Sequence, residues 1–203
     1  MRLIHRPGSI SLKNAETPVT KIVLFGGLSS LGSALTAEML RRQHEVIVIL
    51  DDLNALAPRP GLRTKVGNLF DADAICESIA GSSVVICLLD AQPESSEPLE
   101  VAQLLLNAMQ RMGIKRLILI DDFTSMDGNA PLADALQQSP INWTLINTPQ
   151  GVAGLTIEHF SQISTSLEPG LAPPLERLAR VAAGIADELT LNLHLREVVN
   201  FVV

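Results

Sequence analysis

Residues Lys21–Ser33 read Lys-Ile-Val-Leu-Phe-Gly-Gly-Leu-Ser-Ser-Leu-Gly-Ser, an apolar run that meets glycines at 26, 27 and 32. Beyond them Ala34, Leu35, Ala37, Met39 and Leu40 recur at helical spacing. A strand, a glycine turn and a helix in that order open a parallel nucleotide-binding sheet. Gly26 permits the tight turn out of the strand, and Gly32 lets the helix pack closely on it. Backbone N–H groups at the centre of the turn would approach a pyrophosphate, which the positive helix N-terminus favours. The candidate cofactor contacts here are Gly26, Gly27, Leu28, Ser29, Ser30, Leu31 and Gly32. Ser29 takes the central position of a G-x-x-G-x-x-G pattern, placing a Cβ and a hydroxyl where the backbone should come nearest the phosphates. Ser29 and Ser30 either donate to phosphate oxygens or cap the helix.

Apolar segments continue at a spacing that predicts strands over 21–25, 45–50, 62–66, 84–89, 116–120 and 142–146, with helices near 30–42, 71–80, 98–112 and 131–138. Asp71 is placed to cap the second of these helices and Gly113 to end the third. The alternation predicts a single-domain α/β fold, a Rossmann-like doubly wound parallel sheet with helices on both faces. Residues 1–20 read as a loosely ordered lead-in without the apolar core of a signal peptide, and 21–150 as the dinucleotide-binding core. Residues 151–203 complete the same domain as a short C-terminal extension. Within it the pattern predicts a helix over 175–187, a strand over Leu189–Leu195 and a short closing helix over Arg196–Phe201.

Hydrophobic residues form 47% of the 203, but aromatic residues only 3%, so the core must rest on Leu, Val, Ile and Ala. No apolar run has the length of a membrane span, and the expectation is a soluble, cytoplasmic protein. Cys76 and Cys87, both in apolar stretches, read as buried free thiols. The net charge of −7 arises after residue 116, where Arg177, Arg180 and Arg196 face ten carboxylates. No basic footprint for nucleic acid is present.

Several segments together resemble the NAD(P)-binding, NmrA-like branch of the atypical short-chain dehydrogenase/reductase superfamily, which includes flavin- and biliverdin-reducing members. They are the Lys21–Ser33 turn, His44–Leu50, Val66–Asp71, Ala80–Ile86, Gly113–Leu119 and Ile141–Ile146 with Pro149, with a thinner likeness at His194–Val199. The resemblance implies a dinucleotide lying across the carboxyl ends of the strands. The second strand finishes at Asp51 and Asp52, where NADP-using relatives carry an arginine. An acid there accepts a hydrogen bond from a ribose 2′-OH and repels a 2′-phosphate, which favours NAD(H) over NADP(H). The other reading is that the two aspartates start a turn. Asn68, followed by Leu69, stands where relatives carry an aspartate beside the adenine. The fourth strand ends in Leu88, Leu89 and Asp90, and the fifth in Asp121 and Asp122 where relatives often have serines. Asp90, Asp121, Asp122, Phe123, Ser125 and Pro149 are therefore the substrate-side candidates, Phe123 being the aromatic residue expected in the crevice. Their carboxylates read as a solvated rim, a magnesium or calcium site, or general acid/base groups of raised pKa. No metal ligand set is assigned.

The chain has no tyrosine and no lysine after Lys115. Superfamily members that oxidise alcohols or reduce ketones use a tyrosine with a lysine four residues on, and that mechanism is excluded by composition. Hydride transfer from nicotinamide to a flavin, quinone or other conjugated acceptor needs no such pair. The acidic strand ends count against a flavin phosphate. Two readings follow: an NAD(P)H-dependent reductase with a small-molecule acceptor, or a non-catalytic NmrA-like dinucleotide sensor or protein-interaction module. Trp143 reads as core, and His159 and His194 as structural or surface residues, His194 being the better site candidate of the two. Leu175, Leu178, Ala179, Ala182 and Ile185 form a stripe read first as core and second as a homodimer face.

Overall fold

The computed structural model describes residues 19–92, 97–122, 130–149, 151–163 and 173–201. The chain runs β1 (Lys21–Phe25), α1 (Ser30–Arg41), β2 (Glu45–Leu50), β3 (Leu62–Val66), α2 (Ala72–Ile79), β4 (Val84–Leu88), α3 (Pro98–Met112) and β5 (Arg116–Asp121). It continues through α4 (Ala130–Gln138), β6 (Asn142–Asn147), α5 (Ile157–Ile163), α6 (Pro173–Leu191) and β7 (Glu197–Asn200). The strands form one seven-stranded sheet in the order β3-β2-β1-β4-β5-β6-β7, every pair parallel. This is the single-domain α/β, Rossmann-like fold that the alternation predicts.

Side-chain alternation along each strand splits the core in two. Val23, Val85, Leu117 and Trp143 meet Ile75, Leu105 and Met109 from α2 and α3, with Leu136 from α4. Leu24, Ile86, Ile118 and Ile146 meet Leu31 and Leu35 of α1, Phe160 of α5, and Val181 and Ile185 of α6. Each fully buried aliphatic side chain contributes about 1.5–3 kcal/mol, so the sheet is held from both faces by Leu, Ile and Val. Trp143 is core, Cys76 and Cys87 are buried and free, and Leu178, Ala182 and Ile185 are buried from the α6 stripe. Asp71 accepts from the Asp73 and Ala74 amides at the start of α2, and Gly113 closes α3 at φ 71°.

The C-terminal part departs from the periodicity. Leu189–Leu195 is not a strand: α6 runs through to Leu191 and ends where Asn192 enters the left-handed region at φ 51°, its amide on the Glu188 carbonyl. Glu197–Asn200 is a strand rather than a helix, and its Val198 and Val199 lie beside Leu145 and Ile146 of β6. A buried polar cluster decides both. Glu188, 2% exposed, accepts from Arg116 Nη2 at 2.9 Å and from the His194 amide at 3.1 Å, and pairs with His194 Nδ1 at 2.8 Å. Arg196 then ties the start of β7 to the carbonyls of Gln137 and Ser139. Alternation along 189–195 carried no sign of these long-range bonds. The pattern also missed α5 and a single helical turn at Leu53–Ala55.

After β1 the chain builds outward through β2 and β3, then returns to place β4 on the other side of β1. The carboxyl ends of β1 and β4 therefore splay apart and open a crevice.

Candidate dinucleotide site

Gly26 leaves β1 at φ 87°, in the left-handed region that a side chain disfavours. A Cβ on Gly27 would stand 2.4 Å from Val48 Cγ1, and one on Gly32 2.2 Å from the Gly26 carbonyl oxygen. These two positions require glycine on packing grounds alone.

Ser29 is the N-cap of α1. Its hydroxyl donates to the Gly26 carbonyl at 3.0 Å and accepts the Gly32 amide at 3.0 Å. Its only proton is thus already placed, and of the two readings open in the sequence the cap is the one observed. Ser30 Oγ accepts the Leu155 amide at 3.0 Å, which ties the segment after β6 onto the start of α1. The Gly32 and Ser33 amides are satisfied by Ser29, leaving those of Ser30 and Leu31 without a helical carbonyl to reach. A positive helix end with open amides is an anion site in waiting.

The crevice holds about 530 Å³. The Gly26–Ser29 turn forms one wall, the ends of β2 and β3 with Asp51, Gly67 and Asn68 another, and Ala91 and Gln92 close the third. Asp51 lines it. Asp52 turns away, its carboxylate accepting from the Asn54 amide at 2.9 Å and capping the turn at Leu53–Ala55. Asp52 thus starts a turn, one of the two readings open in the sequence, while Asp51 lies on the crevice wall. Asn68 Oδ1 accepts the Phe70 amide at 2.9 Å. Leu31, Leu88 and Leu89 are buried in the core rather than lining the crevice, although the Leu88 carbonyl accepts from Gln92 Nε2 at 2.8 Å.

The sequence pattern missed several lining residues, among them Phe70, Gly67 and Gln92. Phe70 is 46% exposed on the crevice, so Phe123 is not the one aromatic residue at a strand end. Gly67 is a third close approach, where a Cβ would stand 2.5 Å from Ile49 Cγ2. Gln92 bridges from the end of β4 to the Gly26 turn. An aromatic residue and a glycine directly after β3 were the available signals.

Farther along the carboxyl ends, Asp121 is buried and accepts the Asp122 amide at 2.9 Å. Burial, then the charges of Asp121 and Asp122, push the Asp90 carboxyl up to about 6. Asp90 nevertheless reaches solvent, so the repulsion of its two neighbours is the firmer cause. Among the described residues no group of three or more His, Cys, Asp or Glu is placed to hold a metal ion. Pro149 is half-buried, its carbonyl held by Arg177 at 2.6 Å. Phe123 and Ser125 lie outside the described residues. His194 belongs to the Glu188 cluster at the other end of the sheet, and His159 Nδ1 accepts the Thr156 amide. A larger groove of about 910 Å³ lies along α1, α5 and α6, but its rim charges are already matched in the Glu38–Arg41, Glu176–Arg180 and Arg59–Glu158 pairs.

Residues 26–152 match the sequence profile of a family described as NAD(P)H-binding, which is more than half of the chain. The chain belongs to the NAD(P)H-binding family. The match begins at the first glycine of the turn and ends just past β6, so it spans the crevice and agrees with the motif resemblance. Among solved structures, a protein described as a putative epimerase from Bacteroides thetaiotaomicron superposes with a TM-score of 0.66 at 18% identity, over 89% of this chain and 95% of that one. A Rossmann-fold NAD(P)-binding family protein from Shigella flexneri gives 0.63 at 16% identity, over 88% and 91%. A wide-type short-chain dehydrogenase/reductase from Veillonella parvula, solved with NADP, gives 0.60 at 14% identity, over 89% and 93%. At these identities the likeness is one of fold. No curated protein matches the chain significantly. No helix among the described residues is long and apolar enough to cross a membrane.

Proposed function

We propose that this member of the NAD(P)H-binding family is an NADH-dependent reductase acting on a small conjugated acceptor of the flavin or quinone type. The observation that carries the reading is the crevice of about 530 Å³ at the split between β1 and β4, walled by the Gly26–Ser29 turn at the start of α1 and by Asp51, Gly67 and Asn68. The positive N-terminal end of α1 behind the Gly26–Ser29 turn would favour the pyrophosphate, and the Phe70 ring gives an adenine a face to pack on. Asp51 would accept from a ribose hydroxyl and repel a 2′-phosphate, which supports NAD(H) over NADP(H). The solved relative from Veillonella parvula was determined with NADP, so the preference expected here rests on Asp51 alone.

When bound, the nicotinamide supplies the hydride. The chain's residues orient the two reactants, and Asp90, with its pKa pushed up to about 6, is suited to exchange a proton with the acceptor. The absence of tyrosine rules out the Tyr–Lys route. No observation on the described residues favours a non-catalytic role over this one.

The test is the disappearance of NADH absorbance with soluble quinones and free flavins. Turnover with NADH above NADPH is expected, and Asp51→Asn should narrow the ratio about tenfold. Saturable NADH binding without turnover on any acceptor would refute the reductase and leave a binding protein.

A further inference from the structure

β7 is the last strand in the sheet order, and its outer edge pairs with no described strand. At the other end of the sheet the edge strand β3 carries Arg63 and Lys65, the kind of charge that keeps edge strands from pairing with other chains. β7 has Glu197 as its one charged residue, and its Val198 is 47% exposed. Just before it Leu191 and Leu193 are 60% and 61% exposed, and Leu195 is exposed as well. Four exposed large apolar side chains thus fall within the eight residues 191–198.

The alternating leucines of 189–195 have no strand to occupy. Leu189 is buried at the end of α6, and polar bonds fix the turn that follows: Thr144 Oγ1 donates to the His194 carbonyl at 2.8 Å, and Arg196 Nη1 to the Ser139 carbonyl at 2.7 Å. These bonds hold the turn against β6 and the end of α4, and Leu191, Leu193 and Leu195 stay outside. An apolar flank fixed beside an open strand edge marks a surface that pairs.

We infer that β7 and this leucine flank pair with the same surface of a second copy of the chain, the two β7 strands running antiparallel about a two-fold axis. Charge selects the second copy. The chain carries −7 overall, which holds copies apart, but residues 189–201 set Arg196 against Glu197 and are neutral. The row of donors and acceptors on a strand edge is complementary to itself when run antiparallel, as a two-fold axis requires. With that axis at Val198, Val198 meets its own copy and Glu197 meets Val199 of the second copy, so no carboxylate faces a carboxylate. A ladder this short is marginal alone, and the leucines supply the apolar area that holds it.

The test is sedimentation velocity of the full chain over a wide range of concentration, joined to amide hydrogen exchange at Val198–Asn200. The parent should pass from monomer to dimer as concentration rises, with exchange at β7 slowing in step. Val198→Lys and Leu193→Glu each put a charge where the dimer would bury it, and each should weaken association about tenfold or more. Both side chains are exposed, so the circular dichroism of the two variants should match the parent. A parent that stays monomeric at every concentration, or a dimer unchanged by either variant, would overturn the proposal. So would slow exchange at β7 in the monomer, which would mean that another part of the chain covers the edge. The readout needs neither cofactor nor turnover and stands apart from the reductase reading.

Discussion

Asparagine at position 90 would remove an ionisation that the folded chain resists. The Asp90 pKa stands at about 6 against an ordinary 3.8, raised by burial and by Asp121 and Asp122. The folded state therefore holds the proton more tightly than the unfolded chain. The stability this contributes is full below about pH 3.8 and is lost as pH rises through about 6. A shift of this size corresponds to a ceiling of about 3 kcal/mol. Because the side chain reaches solvent, screening reduces the expected effect to about 1 kcal/mol. Asparagine carries no charge at any pH, so Asp90→Asn should unfold at higher urea than the parent at pH 8, by that amount, and with it at pH 4. Urea midpoints across that range, read by circular dichroism, give the difference directly. A gain that is the same at both ends, or a loss at pH 8, would show that the folded chain does not disfavour the Asp90 charge.

Two further outcomes follow from packing. Gly32→Ala places a methyl 2.2 Å from a backbone oxygen that cannot swing aside, and should cost about 1–3 kcal/mol in urea unfolding and at least tenfold in NADH affinity; parent-like affinity would mean the turn is not the cofactor cradle. Glu188→Ala strips the counter-charge from buried Arg116 and should cost about 3 kcal/mol or more, whereas His194→Ala, at a 40% exposed side chain, should cost about 1 kcal/mol or less, both read by chemical denaturation.

The strands through β6 and the helices α1 to α4 were legible because each is written locally. Apolar strands of five or six residues, Asp71 at a cap and Gly113 at a helix end state their role without reference to distant chain. The last 15 residues were not, because a buried Glu188 and an Arg196 reaching back to α4 decide where α6 stops and β7 starts. The same division holds in the site. Gly26, Gly27 and Gly32 announce themselves by spacing, and Asp51 by its place at a strand end. Which of Asp51 and Asp52 faces the crevice depends on two hydrogen bonds that the Asp52 carboxylate accepts from Asn54, and the exposure of Phe70 on the path of the chain after β3.

Calorimetric titration of the purified chain with NADH, NAD, NADPH and NADP tests whether the Gly26–Gly32 turn and Asp51 form a working NADH site. Saturable binding of the NAD pair, tighter than that of the NADP pair, is the expected result. No saturable heat with any of the four would contradict it.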